Sequence, residues 1–202
     1  MRDRMAHRGP DGCGLWSSPD RRCVLGHRRL SIIDLSDLAA QPMSNAHGSV
    51  TLTFNGEIYN HADVRRELEA LGKYTWKTDH SDTEMILHAY EEWGVDCVSR
   101  FYGMFAIGIY DTRDPGRPVM HLLRDRVGIK PIYFARTGRG EWLFASEIRA
   151  IVAHSSRARS RSAFVSSDPR CRPNPHSNQP RRPSTGSAEH DITSSNARSR
   201  GH

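Results

Sequence analysis

The chain has 202 residues, enough for one domain with a sizeable core and a long extension. Its net charge of +6 sits wholly at one end: residues 154–202 hold nine Arg and three acids (Asp168, Glu189, Asp191), while residues 1–153 balance 20 basic against 20 acidic groups. The balanced part is therefore no electrostatic magnet for nucleic acid or membrane. Four scattered cysteines without a C-x-x-C, no apolar leader and no apolar run longer than Met104 to Tyr110 exclude a disulfide framework and a membrane span, so a soluble, cytoplasmic protein is expected.

In chain order, His7-Arg8-Gly9-Pro10-Asp11-Gly12 is a turn sequence, with Pro10 fixing φ. Cys23 to His27 and Arg29 to Ile33 read as short strands or one bent strand, closed by Asp34-Leu35-Ser36-Asp37. Arg29 stands among apolar Leu30, Ile32 and Ile33. It is either a snorkelling edge residue or a preset fork for a carboxylate.

Apolar Val50, Leu52 and Phe54 alternate with Ser49, Thr51 and Thr53, which predicts a strand with one buried face. Asn55-Gly56-Glu57-Ile58-Tyr59-Asn60 is then expected to leave the sheet as a polar corner. One reading of the corner is a plain turn. The other sets the Asn55 carboxamide beside an unobstructed Gly56 N–H, two donors able to form an oxyanion hole.

Asn60 can cap a helix with apolar Val64, Leu68 and Leu71, ending at Gly72. A second helix opens on the S-x-x-E box of Ser81 and Glu84 and carries Met85, Ile86, Ala89, Tyr90 and Trp93 on one stripe before Gly94. Asp82 lies in its first turn, where the helix dipole favours a carboxylate with or without a ligand. Met104 to Tyr110 is apolar on both faces and reads as a central strand covered on each side. After the Asp114-Pro115-Gly116 turn, strands are expected at Val119 to Leu123, Pro131 to Ala135 and Trp142 to Ala145, and Ser146 can cap a short helix from Glu147 to Ala153. Strands, two helices, then more strands argue for an α+β protein with largely antiparallel sheets.

From His154 the composition changes to twelve Ser, nine Arg and five Pro in 49 residues, with almost no apolar periodicity. This predicts a folded unit over residues 1–153 and a disordered tail over residues 154–202. The Arg–Ser alternation from Arg157 to Ser162 is either a solvated basic tail or an RNA-binding element.

Together the motifs of residues 7–153 resemble the class II glutamine amidotransferase domain of glutamine-hydrolysing asparagine synthetases. The resemblance rests on His7-Arg8-Gly9-Pro10-Asp11, Gly26 to Asp34, Gln41-Pro42-Met43, Asn55 to Asn60, Ser81-Asp82-Thr83-Glu84, Gly103-Met104-Phe105-Ala106, Arg124 to Pro131 and Phe144-Ala145-Ser146-Glu147. It implies an N-terminal-nucleophile hydrolase fold, a four-layer αββα sandwich. It also implies that Arg29 takes the glutamine α-carboxylate and that Asp82 and Glu57 hold the ammonium end. Leu30, Ser31, Ile32 and Ile33 would line the pocket, and Asn55 and Gly56 would stabilise the oxyanion. No cofactor is implied in this domain; ATP and magnesium would belong to a synthetase domain or subunit, the implied partner, and a homodimer is left open.

Two departures from the family pattern bear on activity. The family's nucleophile is an N-terminal cysteine about thirty residues ahead of the His-Arg-Gly-Pro-Asp motif, whereas six residues precede it here and none is cysteine. Cys13 follows the turn and has an ordinary amide nitrogen instead of a free α-amine. The glycine-rich pyrophosphate loop of a synthetase domain is also absent from the 202 residues. A chain truncated at both ends and inactive alone is expected. The alternatives are an amidotransferase of another biosynthetic pathway and a non-catalytic glutamine-binding protein.

Overall fold

The computed structural model describes residues 1–30 and 40–155. Among these, strands β1 (Gly12–Ser17) and β2 (Val24–Arg29) form one antiparallel hairpin. β3 (Met43–Ser44), β4 (Val50–Ile58), β5 (Gly103–Asp111) and β6 (Val119–Arg124) form an antiparallel sheet in that order. β7 (Tyr133–Arg136) and β8 (Trp142–Ala145) make a second hairpin. Helices α1 (His61–Ala70) and α2 (Asp82–Trp93) lie between β4 and β5, and α3 (Ile148–Ser155) follows β8. Kinked 3-10 turns at Arg2–Arg8 and a 3-10 segment at Gly94–Arg100 complete the described elements.

The period-2 pattern of β4 divides its side chains between two faces. Val50, Leu52, Phe54 and Ile58 are buried with Phe105, Ile107 and Ile109 of β5 against Met85, Ile86, Ala89 and Tyr90 of α2 and Val64 and Leu68 of α1. Thr51, Thr53, Asn55 and Glu57 point the other way, toward the two hairpins. His27 Nδ1 lies 3.3 Å from Thr53 Oγ1, and the Trp16 and Tyr110 ring centroids are 6.0 Å apart. A Cβ on Gly108 would stand 2.9 Å from the Phe144 ring. On the far side, α3 and the Arg2–Arg8 segment cover the β7–β8 hairpin through Met5, Ala135, Ala145, Ala150 and Ile151. The layers are helices, sheet, two separate hairpins, helix, which is the expected αββα order.

Several local expectations are corrected. The Asn55 to Asn60 corner is no corner over its first half: β4 runs on to Ile58, with Asn55, Gly56 and Glu57 paired to Ala106, Phe105 and Met104. Gly56 is there because the partner strand comes close, since a Cβ would meet the Met104 carbonyl oxygen at 2.0 Å. Asn60 does not cap α1 with its side chain; its Oδ1 accepts from Tyr102 N at 2.8 Å and its Nδ2 donates to Arg100 O at 2.9 Å. The Ser81 box is half made. Ser81 Oγ accepts from Glu84 N at 3.4 Å, while the Glu84 carboxylate turns to the amides of Lys77 and Thr78, each at 2.8 Å. Glycine-broken β1 and the Arg2–Arg8 turns carry no clear apolar period, and sequence reasoning missed both.

Two sequence motifs 140 residues apart meet in this framework. Glu147 accepts from His7 Nε2 at 2.9 Å, from Arg8 Nη1 at 3.3 Å and from Arg149 Nε. This cluster holds the Glu147 carboxyl down at about 2, led by the Arg149 hydrogen bond, and ties the first turns to the start of α3.

Candidate active site

A cavity of about 890 Å³ opens between the β3–β6 sheet and the two hairpins. That is within the usual range for a site holding a small ligand. Its floor is the polar face of β4, with Thr53, Asn55 and Glu57, and its walls include His27 and Arg29 of β2 and Phe144 of β8. The first turn of α2 closes one end with Ser81, Asp82 and Thr83.

Of the residues singled out in the sequence, Arg29, Leu30, Asn55, Gly56, Glu57 and Asp82 all line this cavity. Ser31, Ile32 and Ile33 lie outside the described residues, as does the tail from 156 onward. Cys13 is exposed on β1, Cys23 is half-buried and Cys97 is in the core; none of these three described cysteines lines the cavity.

The electrostatics follow from burial. Asp82 is nearly covered, and its desolvation pushes the carboxyl above its usual range, although Ile58 N donates to Oδ2 at 3.4 Å. Burial also pushes the His27 imidazole down to about 4, with the Arg29 guanidinium adding to the effect. His27 is therefore neutral at pH 7. The cavity offers a guanidinium, a neutral imidazole and carboxylates, the set that an amino acid with both ends charged requires.

The donor geometry lies along the edge of β4. Opposite Gly56, Phe105 gives its N–H to Asp125 Oδ2 at 3.2 Å and its carbonyl accepts from Asp125 N at 2.9 Å. Since an antiparallel ladder alternates its pairings, the Gly56 amide faces away from β5, on the same edge as those of Phe54 and Ile58. Phe54 N donates to Gln41 Oε1 at 2.6 Å and Ile58 N to Asp82 Oδ2. Between them, no side chain among the described residues accepts from Gly56. A row of three amides thus has acceptors at its ends and an open centre. The Asn55 carboxamide is beside it, with Nδ2 3.4 Å from Ser146 Oγ. Such a donor pair suits an oxygen that gains negative charge.

The model of the glutamine amidotransferase domain family matches residues 1–170 of this chain. The chain belongs to the glutamine amidotransferase family. The chain is 39% identical over 156 residues to asparagine synthetase [glutamine-hydrolyzing] 3 of Bacillus subtilis, covering 76% of the chain and 24% of that protein. It is 42% identical over 151 residues to the probable asparagine synthetase of Dictyostelium discoideum, covering 75% of the chain and 26% of that protein. It therefore spans about a quarter of the length of these relatives. The solved structure of glutamine phosphoribosylpyrophosphate amidotransferase from B. subtilis, complexed with ADP and GMP, shares the fold with a TM-score of 0.54 at 22% identity, over 70% of this chain and 30% of that one. The fold is thus the N-terminal-nucleophile hydrolase type of αββα sandwich. Among the described residues, no group of three or more His, Cys, Asp or Glu is set to hold a metal ion, and no helix is long and apolar enough to cross a membrane.

Proposed function

We propose that this chain is the glutamine-binding, glutaminase-type part of a cytoplasmic asparagine synthetase, which releases ammonia for ATP-dependent amidation of aspartate. The observation that carries the reading is the open Gly56 amide on the β4 edge, in one cavity with Arg29, Glu57 and Asp82. Arg29 takes the α-carboxylate as a fork, Asp82 and Glu57 take the ammonium, and the side-chain amide oxygen of glutamine fills the open centre of the amide row. When the amide carbon is attacked, that oxygen becomes the oxyanion, and Gly56 N–H and Asn55 Nδ2 stabilise it, each worth roughly 3–4 kcal/mol in comparable sites. Synthetase chemistry, with its ATP and magnesium, belongs to the length that the relatives carry beyond the matched stretch.

The attacking group is a cysteine whose own α-amine takes its proton, as the family resemblance implies. None of the three described cysteines occupies that role, because none reaches the cavity. Joining a segment that begins with cysteine ahead of the chain should therefore produce ammonia release from glutamine. Replacing that cysteine with alanine should abolish release while glutamine binding persists. Ammonia release by the 202-residue chain that disappears on Cys13→Ala would overturn the assignment.

A further inference from the structure

The open centre of the amide row depends on what fixes its ends. One end is Asp82, already assigned to the ligand. The other is Gln41, which lines the same cavity and whose carboxamide makes two bonds in different directions. Its Oε1 accepts from Phe54 N at 2.6 Å, and its Nε2 donates to Thr83 Oγ1 at 3.2 Å. Phe54 and Thr83 are both buried, at 4% and 3% exposure, while Gln41 itself is half-buried at the cavity wall, so both bonds are part-buried.

These two bonds join β4 to the first turn of α2. Phe54 is two residues before Gly56, and Thr83 directly follows Asp82. The side chain of Gln41 thereby spans the two elements that carry the oxyanion donor and the ammonium-facing carboxylate. Its own backbone is anchored independently, because β1 packs against it so closely that a Cβ on Gly14 would lie 1.8 Å from the Gln41 carbonyl oxygen. An anchored residue with a two-headed carboxamide acts as a fixed spacer.

We propose that Gln41 is a positioning residue for glutamine, setting the distance between the Gly56 amide and the Asp82 carboxylate by bridging Phe54 N–H and Thr83 Oγ1. This rests on the glutamine-binding reading of the cavity. Gln41 touches neither reacting atom in this scheme; it acts through the two elements it joins. A carboxamide is suited because one end accepts and the other donates. A carboxylate at the same place can still accept from Phe54 N, and the Thr83 hydroxyl can rotate to donate to it. A thioether of similar length can do neither well.

The test is glutamine binding to the full 202-residue chain by calorimetry, with thermal unfolding of every variant and amide NMR of Phe54 and Gly56. Gln41→Met should weaken glutamine binding by about tenfold, the scale of the part-buried hydrogen bonds it removes, and should reduce the glutamine-induced shift of the Gly56 amide. Gln41→Glu should bind glutamine within about threefold of the parent, with the Phe54 amide shift retained. Both variants lose or gain stability on their own account, so affinity that follows melting temperature across parent, Met and Glu variants would reduce Gln41 to a packing residue and overturn the inference. Parent-like affinity and a parent-like Gly56 response in Gln41→Met would do the same. If the parent does not bind glutamine, or if Arg29→Ala binds it as well as the parent, the reading of the cavity falls and this inference with it. Loss of binding in Arg29→Ala alone overturns only the role of Gln41.

Discussion

The two faces of β4 are built to opposite specifications. Toward α1 and α2 the strand presents Val50, Leu52, Phe54 and Ile58, none more than 4% exposed, and their burial stabilises the fold. Toward the hairpins it presents Thr53, Asn55 and Glu57, which floor a cavity and leave polar groups for a ligand. Both sets alternate along nine residues. Stability and chemistry are therefore separable one residue at a time, and a substitution on one face should leave the property of the other largely intact.

The largest effect should come from the apolar face. Phe54→Ala is expected to cost about 3–5 kcal/mol in urea unfolding, the transfer and cavity cost of a buried aromatic side chain. A loss below about 1 kcal/mol would mean that the helix-facing side is not the core. Across the cavity from the site face, Arg29→Ala should weaken glutamine binding by about 2–5 kcal/mol, because one charged end of the ligand loses its partner. Arg29→Lys should recover only part of this, since a point charge does not replace a bidentate fork. Unchanged calorimetric affinity in Arg29→Ala would take this residue out of the pocket.

A smaller effect is a pH dependence peculiar to the site face. His27 has its folded value lowered to about 4 from 6.5, so it favours the folded state above 6.5 relative to acid. The unfolded chain binds the proton first as pH falls, and that part of the stability is lost progressively between about 6.5 and 4. His27→Asn should flatten the stability profile in this window, measured by unfolding at a series of pH values; an unchanged slope would show that His27 is not desolvated. Thr53→Val, the smallest perturbation, removes the hydroxyl near His27 and should shift stability by no more than about 1 kcal/mol.

Local pattern in the sequence determined much of this protein. The alternation before Asn55, the i, i+4 spacing in α1, the stripe and Ser81 cap of α2 and the doubly apolar Met104 to Tyr110 each encode an element through the period of its own side chains, and periodicity acts over a few residues. Of the charged candidates, only Arg29 stood out by pattern, as a cation among apolar neighbours, whereas Glu57 and Asp82 became site candidates through the family resemblance. What the tertiary structure decided is everything that requires two distant segments. Asn-Gly reads locally as a turn, yet β5 pairs straight through it and makes Gly56 a close-packed strand residue with an outward amide. Gln41 reads as an ordinary loop residue, and only the approach of Phe54 and Thr83 gives its carboxamide two partners. His7, Arg8 and Glu147 become one hydrogen-bonded cluster only when α3 returns to the first turns. Hydrogen bonds and desolvation depend on distance in space, and the sequence fixes distance only between near neighbours.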